Sequence, residues 1–410
     1  MLVLLAPLWH TFRSLRHFNY RAWAAGALVS NIGTWMQRTA QDWLVLTQLT
    51  PHSAAAVGIT MSLQFGPALL LLPWTGFAAD HYNQRRMLMM TQAALGLLAL
   101  VLGTLTLTGA VQLWHVYVLA FLQGCTAAFD APVRQTFVGE LVGIRDLPNA
   151  VALNSTSFNA GRMIGPAVAG LVIASVGTGW AFVINGLSFG GVLTSLALLR
   201  KSELRPNARA TRANGSLLEG VRYVLKHPEL KANLIMLFFF ATFGMNFPIF
   251  ISTMAVQVFH TDARGYGVLS SAMALGTIAG GLLAAGSEPR FTKLMRGAAV
   301  FALGCTLAAI APGYWLFAGA LVLTGMAALT FNNTSNSLMQ INTEAAMRGR
   351  VMALRLAINQ GFTPLGAPLV GGVADYFGPR WALGVGTASG LIAAAIALWY
   401  LRMGKVRWDK

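Results

Sequence analysis

The chain has 410 residues, of which 56% are apolar and only 10% are charged. About a quarter of the residues in an average soluble domain are charged, so this composition excludes a soluble globular protein and indicates one that lies in a lipid bilayer. The net charge of +16 is typical of nucleic-acid-binding proteins, but the positions of the charges, described below, exclude that class as well.

The apolar residues form a series of runs, each long enough for a transmembrane helix of about 20 residues. Joints that are polar or contain Gly and Pro separate the runs. We predict an all-α polytopic membrane protein with twelve transmembrane helices in two pseudo-symmetric six-helix bundles. The predicted spans are 22–48, 54–79, 87–108, 113–133, 149–176, 180–199, 232–258, 265–286, 296–312, 314–338, 350–375 and 380–402.

The longest polar stretch divides the spans six and six, and therefore predicts a linker between two bundles. Within it, Leu217, Leu218 and Val221 share a helical face opposite Arg222 and Lys226. Part of the linker is thus expected to lie as an amphipathic helix on the inner leaflet. The predicted segments are a cytoplasmic interfacial N-terminal segment 1–21, a bundle 22–199, the linker 200–231, a second bundle 232–402 and a cytoplasmic tail 403–410.

The basic residues lie almost entirely on one side of the predicted membrane. Only Arg264 and Arg380 fall in joints on the opposite side, and Arg38, Arg162 and Arg355 fall inside spans. Such a bias is the positive-inside signature, so both termini are predicted to be cytoplasmic and the basic residues to face lipid headgroups. Arg355 is expected to lie close enough to the inner surface to extend its guanidinium to the headgroups.

The two halves of the chain show an internal duplication, because residues of the same type recur at a constant offset of 201. Two like-oriented six-helix halves are typical of carriers that bind substrate between the halves and work by alternating access. The matched pairs are Trp114 and Trp315, Gly124 and Gly325, Ala127 and Ala328, Leu153 and Leu354, Gly165 and Gly366, Gly170 and Gly371, Gly177 and Gly378, and Trp180 and Trp381.

The joint after the second predicted span carries a motif that resembles the Gly-x-x-x-Asp-Arg-x-Gly-Arg-Arg signature of the major facilitator superfamily. It reads Gly76-Phe-Ala-Ala-Asp80-His-Tyr-Asn-Gln-Arg85-Arg86. His81 stands where the family usually has Arg, and Asn83 where it usually has Gly, so the turn of this joint is expected to differ slightly.

A second motif lies in the fifth span, where Gly161-Arg-Met-Ile-Gly165-Pro166-Ala-Val-Ala-Gly170 resembles the Gly-Pro motif of antiporter-type exporters. The glycines permit close helix packing, and Pro166 removes a backbone donor and predicts a kink. Kinked packing alone and a role specific to antiport both explain the motif.

Further segments resemble the bacterial branch of the superfamily that includes the enterobactin exporter and macrolide efflux proteins. The resemblance covers nearly the whole chain, but it does not identify the substrate. The segments are Trp35 to Trp43, Pro132-Val-Arg134, Glu219-Gly-Val-Arg-Tyr-Val-Leu-Lys-His-Pro228 and Arg348-Gly-Arg350.

The resemblance implies a gate on the inner side of the membrane. Asp80 is expected against the positive N-terminus of a neighbouring helix, which the family places in span eleven near Arg350. Asp130 and Arg134, four residues apart, are expected to join this cluster. The cluster is either a latch of the outward-open state or a static staple between helices. Its predicted members are Gly76, Asp80, Arg85, Arg86, Asp130 and Arg134.

Polar side chains recur at spacings of three and four in the first span, and therefore share one helical face. A polar face is costly against lipid, and the resemblance places spans one, four and seven on a central cavity. Contact with substrate and hydrogen bonding between helices both explain the pattern. The predicted substrate-binding residues are Asn31, Thr34, Gln41, Gln123, Thr126, Arg162, Thr242, Asn246 and Thr253, with Trp35, Trp43, Met36, Phe243 and Met245 as a candidate apolar wall.

Asp42 is the only acidic residue well inside a predicted span, and Arg38 lies four residues before it. Burial favours the protonated carboxyl group, whereas a neighbouring cation favours the ionised one. The protonation of Asp42 is therefore expected to change as the cavity opens or as Arg38 turns to the substrate. We predict that these two residues couple transport to protons; a permanent ion pair between them is the alternative.

Several classes of function are excluded. The chain has no Gly-x-x-x-x-Gly-Lys-Ser/Thr loop, which an ATP-driven pump needs to bind phosphates. Its seven histidines are scattered and mostly at the membrane edges, where they form no metal or catalytic set. We therefore predict no enzymatic activity, no catalytic residues, no metal site and no cofactor.

The remaining class is a secondary active transporter that exports a small amphipathic compound by proton-coupled alternating access. Arginines outnumber acids within the spans, which favours a neutral or anionic siderophore or drug-like substrate over lipophilic cations. The alternative is a lipid flippase or a ligand-sensing, non-exporting member of the superfamily. The expected partners are a small-molecule substrate, protons and membrane lipids, but no nucleic acid, and the expected form is a monomer in the bacterial cytoplasmic (inner) membrane.

The gate hypothesis predicts the behaviour of Asp80→Asn. Because the amide lacks the charge that interacts with a helix N-terminus, we expect the variant to slow transport strongly while the affinity for substrate stays within a few-fold. Initial rates of transport over a range of substrate concentrations separate the two effects. Normal turnover in the variant would refute the latch.

Overall fold

A computed structural model describes residues 12–143, 145–205, 217–285 and 288–404. Every regular element in these ranges is helical. The first half contains a short 3-10 turn, Arg13–Arg16, and seven α-helices. They are α1 (Phe18–Leu44), α2 (Ala54–Leu70), α3 (Leu72–His81), α4 (Gln84–Leu107), α5 (Leu113–Leu141), α6 (Leu147–Val176) and α7 (Thr178–Leu198).

The second half begins with the helix that the linker predicts and continues with the remaining spans. The helices are α8 (Leu217–Lys226), α9 (Pro228–Phe239), α10 (Phe247–Thr253), α11 (Ala263–Ala285), α12 (Phe291–Ile310), α13 (Tyr314–Ile341), α14 (Ala345–Gly361), α15 (Thr363–Phe377) and α16 (Pro379–Arg402).

Three predicted spans are each made of two helices, which the sequence analysis did not anticipate. α2 and α3 meet at Leu71, α14 and α15 meet at Phe362, and α9 and α10 are joined through a π-turn segment, Phe240–Gly244. The second helix of each pair carries a proline at its beginning: Pro73, Pro248 and Pro364. Proline has no backbone N–H to continue the preceding helix, and each of these three prolines stands at a break, whereas α6 continues through Pro166.

Nine helical stretches of the described ranges are long and apolar enough to cross a membrane. The predicted spans outside this set are the first, which carries the polar stripe, and the second and eleventh, which are broken. A backbone inside lipid must satisfy its own hydrogen bonds, and helices throughout the described ranges meet that requirement.

Two compact units make up the chain. The first comprises residues 1–41 and 70–212, and the second comprises residues 42–69 and 213–410. The sequence analysis divided the chain at the linker alone. In the second unit the backbone of α2 lies directly on that of α15, because a Cβ added at Gly58 would meet the Ala367 carbonyl.

The core of the first unit lies where α1, α5 and α7 meet. Tyr20, Trp23, Val133, Phe137 and Leu196 are at most 2% exposed there. The Tyr20 hydroxyl donates a hydrogen bond to the carbonyl of Ala150, 2.8 Å away, so this buried polar group is satisfied.

The core of the second unit is aromatic. Phe240 stacks on Phe331 with 4.1 Å between ring centroids and lies 4.4 Å from Phe301. All three rings are fully buried. Asn233 and Ser335 exchange hydrogen bonds beside them, because the Asn233 amide donates to the Ser335 carbonyl and accepts from its hydroxyl. This pair joins α9 to α13.

The duplication is visible in the backbone. α5 begins at Leu113 and α13 at Tyr314, which preserves the offset of 201. Gly177 and Gly378, a matched pair, have φ values of +94° and +101° and each separates two consecutive helices. Residues with side chains rarely adopt such positive φ values, so the two glycines meet the same requirement in both halves.

Residues 13–17 are anchored by Asp146, which is 3% exposed at the start of α6. Arg13 Nε lies 3.1 Å from its Oδ1, and Arg16 Nη2 and His17 Nε2 lie 2.7 and 2.8 Å from its Oδ2. The Ser14 hydroxyl donates to the Asp146 carbonyl. The hydrogen bond with His17 holds the pKa of Asp146 below its ordinary value, assisted by Arg16 and Arg13 and opposed by burial.

This anchor predicts a pH dependence. The pKa of Asp146 is lowered in the folded state. Its contribution to the stability of the anchored segment is therefore fully present above the ordinary carboxyl pKa of about 3.9, and this stability is lost as the pH falls through the lowered value. We expect amide hydrogen exchange of residues 12–17 to be protected at pH 7, and Asp146→Asn to speed it several-fold. Glu203→Gln, which breaks an exposed pair with Arg200, serves as the control, and equal exchange in both variants would contradict the anchor.

Candidate functional site

Two glycines bring α6 into direct contact with α1 in the first unit. A Cβ added at Gly161 would lie 2.8 Å from the Asn31 backbone, and one added at Gly165 would lie 2.5 Å from the Trp35 Cβ. α6 continues through Pro166. Small residues allow such approach in membranes, where no hydrophobic force drives helices together. The predicted motif thus positions the first predicted span against the fifth.

The contact places two guanidinium groups around one indole ring. Arg38 Cζ lies 4.9 Å from the centroid of Trp35, and Arg162 Cζ lies 5.5 Å from it. Phe158 packs edge-on against the same ring at 5.7 Å. The indole face attracts cations, by about 0.5–2 kcal/mol. We call Trp35, Arg38 and Arg162 the cationic cluster.

The cationic cluster is half-buried rather than sealed. Arg38, Trp35 and Arg162 are all of intermediate exposure. Among the described residues, no carboxylate lies within ion-pair distance of Arg162. An Arg in mid-membrane needs an anion, water or polar partner, so this arrangement suits an anionic group of a ligand. The sequence analysis took Trp35 as apolar wall, although its position three residues before Arg38 places the two on one helical face.

The other predicted residues of the polar stripe differ in their surroundings. The Asn31 amide donates to the Ser157 hydroxyl on α6 at 3.1 Å. Gln37, which the stripe did not include, accepts a hydrogen bond from the Asn185 amide on α7. Gln41 Oε1 is buried without a hydrogen-bond partner among the described residues, and Thr34 is half-buried.

In spans four and seven, some of the predicted polar residues bond to their own helices, and others have a buried oxygen without a partner among the described residues. Thr126 and Thr253 donate to carbonyls of their own helices, and Gln123 is 7% exposed. The Asn246 amide donates to the Thr242 carbonyl across the break between α9 and α10. Within the described ranges, Thr242 Oγ1 and Asn246 Oδ1 are buried without partners, and such groups are costly unless something binds them.

Asp42 has a partner that the sequence analysis did not identify. It is 8% exposed, and the Tyr266 hydroxyl of α11 donates to its Oδ2 over a long 3.4 Å. Tyr266 also stacks on Trp43, with 5.9 Å between centroids and 20° between planes. The indole therefore holds the phenol beside the carboxyl group. No local signal links residues 224 positions apart, so only the fold reveals this contact. The pairing of Asp42 with Arg38 stays a prediction.

The gate residues are only partly described. Gly76 and Asp80 belong to α3, but their side chains lie outside the described set. Arg85 donates to the Leu196 and Ala197 carbonyls at the end of α7, at 2.7 and 3.1 Å, where the helix dipole favours a cation. Arg86 donates its backbone N–H to Asn83, which caps α4.

Asp130 is bound within the first unit. Its Oδ1 accepts from Thr91 Oγ1 and Gln92 Nε2 on α4, both at 2.7 Å. Its Oδ2 forms an ion pair with Arg134 Nη2 at 3.0 Å. These bonds join α4 to α5. Arg350, in the second unit, pairs with Glu219 on α8 at 3.4 Å. The role of these residues as a gate stays a prediction.

The expected position of Arg355 is wrong. It is 6% exposed, and its Nη2 donates to the carbonyl and side-chain oxygens of Asn332 at 2.9 and 2.7 Å. Asn332 in turn donates to Asn359. The guanidinium therefore binds α13 instead of extending to the headgroups, because a carbonyl acceptor lies within its reach inside the unit.

Two solved structures share the fold of this chain. A bacterial homologue of the human lysosomal transporter Spinster, inward-facing and unoccupied, is 15% identical with a TM-score of 0.70, over 96% of this chain and 98% of that one. A D-xylose–proton symporter is 12% identical with a TM-score of 0.71, over 93% and 97%. The fold is that of the major facilitator transporters.

The sequence model of the transmembrane secretion effectors matches residues 9–409, so the chain belongs to this family of the superfamily. It is a multi-pass membrane transporter and not an enzyme. The staphyloferrin A transporter of Staphylococcus aureus is 26% identical over 355 residues, which are 85% of this chain and 87% of that one. The enterobactin exporter EntS of Shigella flexneri is 26% identical over 341 residues, 82% and 80%. The predicted resemblance is confirmed.

The position of Asp42 predicts the effect of removing its charge. We expect Asp42→Asn to abolish uphill export driven by a pH gradient while downhill exchange of substrate continues, because only the former needs a proton to bind and leave. Flux in everted vesicles with and without an imposed gradient measures both. Asp262→Asn, which changes an exposed acid outside the helices, is the control, and unchanged gradient-driven flux in Asp42→Asn would remove Asp42 from the mechanism.

Proposed function

We propose that the chain exports an amphipathic siderophore or siderophore-like compound, neutral or anionic, by proton-coupled alternating access. The observation that carries the proposal is the cationic cluster, two guanidinium groups around one indole ring. The relatives support it, since one is named for transport of staphyloferrin A and another for export of enterobactin.

The cost of removing a charged ligand from water makes the site selective for the charge of its ligand. A cationic ligand leaving water needs an unpaired acid to offset the cost. Asp42 is the only acid deep in a predicted span, and the Tyr266 hydroxyl faces it. An anionic or neutral ligand has no such need, and an anion compensates the cost of holding Arg162 in the membrane. The cationic cluster therefore favours anions over lipophilic cations.

The cationic cluster also suits an amphipathic ligand. Trp35 and Phe158 offer apolar ring surface beside the two guanidinium groups. Ligand sites typically combine apolar walls with a few polar groups that set orientation.

We further propose that Asp42 carries the coupled proton and that the chain works as a monomer in the bacterial inner membrane with both termini in the cytoplasm. The support for this orientation is the positive-inside bias of the sequence. The support for Asp42 is its burial beside Tyr266. In this cycle, binding of an outside proton at Asp42 and release of substrate would occur in the same outward-open state.

The proposal is tested by removing each guanidinium in turn. We expect Arg38→Ala and Arg162→Ala to weaken an anionic siderophore by about 10- to 100-fold, the range for hydrogen bonds to charged groups, and a neutral macrolide by no more than a few-fold. Arg162→Lys keeps the charge and is expected to fall between wild type and Arg162→Ala. Concentration-dependent export rates in everted vesicles give the comparison.

Arg355→Gln is the matched control, since Arg355 is also a guanidinium within a span but binds Asn332. Equal losses for the anionic and the neutral compound would show that Arg38 and Arg162 act in packing alone. Resistance or binding confined to lipophilic cations such as ethidium would contradict the charge argument. Lipid movement without flux of any soluble compound would favour a flippase.

A further inference from the structure

Asp375, near the end of α15, binds the beginning of α2 in the second unit. Its Oδ1 accepts the backbone N–H of Ala54 at 2.5 Å, and its Oδ2 accepts the N–H of Ala55 at 3.0 Å. Oδ2 also accepts from the Ser53 hydroxyl at 2.8 Å. Both carboxylate oxygens are thus used on one helix N-terminus.

This contact is electrostatically favourable and is made by a residue distant in sequence. The first N–H groups of a helix have no partner within the helix, and the helix dipole makes its N-terminus positive. Ser53 acts as the local cap, because its Oγ accepts the N–H of Ala56 at 3.2 Å. Asp375 adds a second, charged cap from another helix, and therefore holds two helices together.

The backbones of the two helices touch next to this cap. A Cβ added at Gly371 would lie 2.5 Å from the Ala54 carbonyl oxygen. Further along, the Ser62 hydroxyl donates to the Pro364 carbonyl at 2.5 Å. Gly372, one residue on, has no atom within 4 Å of an added Cβ. The close packing is therefore confined to one face of α15.

The turn that precedes α2 is held from a third element. His52 has a φ of +63°, and its carbonyl accepts a hydrogen bond from Gln257 Nε2 at 2.8 Å. Gln257 lies in a π-turn segment, Met254–Val258. Thus α2, α15 and the end of the seventh predicted span meet at one end of the unit, which the predicted orientation places outside the membrane.

The hydrogen bonds of Asp375 can be replaced by hydrogen bonds to water. Asp375 is exposed, so water can replace its three hydrogen bonds when the helices separate. Asp130, by contrast, is buried and holds its partners within the first unit. The sequence offers a second indication: Gly371-x-x-x-Asp375 repeats the spacing of Gly76-x-x-x-Asp80 of the signature motif, at the opposite end of the predicted spans.

We infer that Asp375 is the latch of an outer gate, whose carboxylate caps α2 and stabilises the outward-closed state. Opening toward the outside requires α2 to leave α15, so the three hydrogen bonds of Asp375 are broken in each cycle. The inference rests on the alternating access proposed above, but it does not depend on which compound is exported.

The test measures access from outside to a buried residue of α2 that lies next to Gly58, whose backbone packs on Ala367 of α15. Val57 on α2 is 0% exposed, so Val57→Cys reports separation of the helices through its labelling rate with a membrane-impermeant maleimide in spheroplasts. The chain without this substitution gives the background from Cys125 and Cys305. We expect Asp375→Asn to speed labelling of this reporter several-fold, because an amide caps more weakly than a carboxylate.

Two matched controls accompany the test. Asp262→Asn removes a carboxylate that accepts the N–H of Gly265 at the start of its own helix, and is expected to leave labelling unchanged. Gly371→Ala is expected to speed labelling, whereas Gly372→Ala is not. This glycine pair decides the question if Asp375→Asn folds poorly.

Labelling of Asp375→Asn at the wild-type rate would overturn the latch, as would an equal increase in Asp262→Asn. For a poorly folding Asp375→Asn, equal rates in Gly371→Ala and Gly372→Ala would overturn it. Because labelling needs no substrate, faster labelling of Asp375→Asn together with absent siderophore export by the unsubstituted chain would sustain the latch and refute the proposed substrate.

Discussion

The candidate site depends on the close approach of α1 and α6. In a membrane, lipid competes equally for apolar side chains, so helices associate where small residues let their backbones touch. Gly161 and Gly165 provide that contact against Asn31 and Trp35. Trp35 lies within reach of Arg162 because no Cβ separates the two helices. The cationic cluster therefore depends on glycine, which has no Cβ, at positions 161 and 165.

The aspartates show how environment assigns different roles to one side chain. Asp130 and Asp146 are buried with several donors each, and such bonds are costly to break. Asp375 is exposed on a helix N-terminus, where water can replace its partners. Asp42 is buried, and the Tyr266 hydroxyl lies a long 3.4 Å from its carboxyl group. Such a weak hydrogen bond is compatible with a change in the protonation of Asp42.

Hydropathy and repetition predicted much of the fold, because both are carried by many residues at once. Apolar length accounts for nine of the twelve predicted spans in the described ranges, and the offset of 201 anticipated the similar conformations of Gly177 and Gly378. The motif glycines indicated close packing, although not the helix that they contact. These features are local or periodic, and a single sequence contains them.

The contacts that the sequence analysis missed all join distant residues. Tyr266 beside Asp42, Asn332 on Arg355, and the cap of α2 by Asp375 depend on which helix faces which. The helix breaks were missed for another reason: a proline within an apolar run has little effect on hydropathy, although it removes a backbone donor. The cationic cluster was half visible, since Trp35 and Arg38 share a helical face.

The central claim is that a positively charged site exports an amphipathic compound, neutral or anionic, at the expense of a proton gradient. The most direct measurement is uptake of a labelled anionic siderophore into everted membrane vesicles, with an acidic interior, with and without this transporter. We predict accumulation above the outside concentration that collapses when the gradient is dissipated, and that exceeds accumulation of a lipophilic cation of similar size. Accumulation of the cation alone, or uptake that ignores the gradient, would contradict the account.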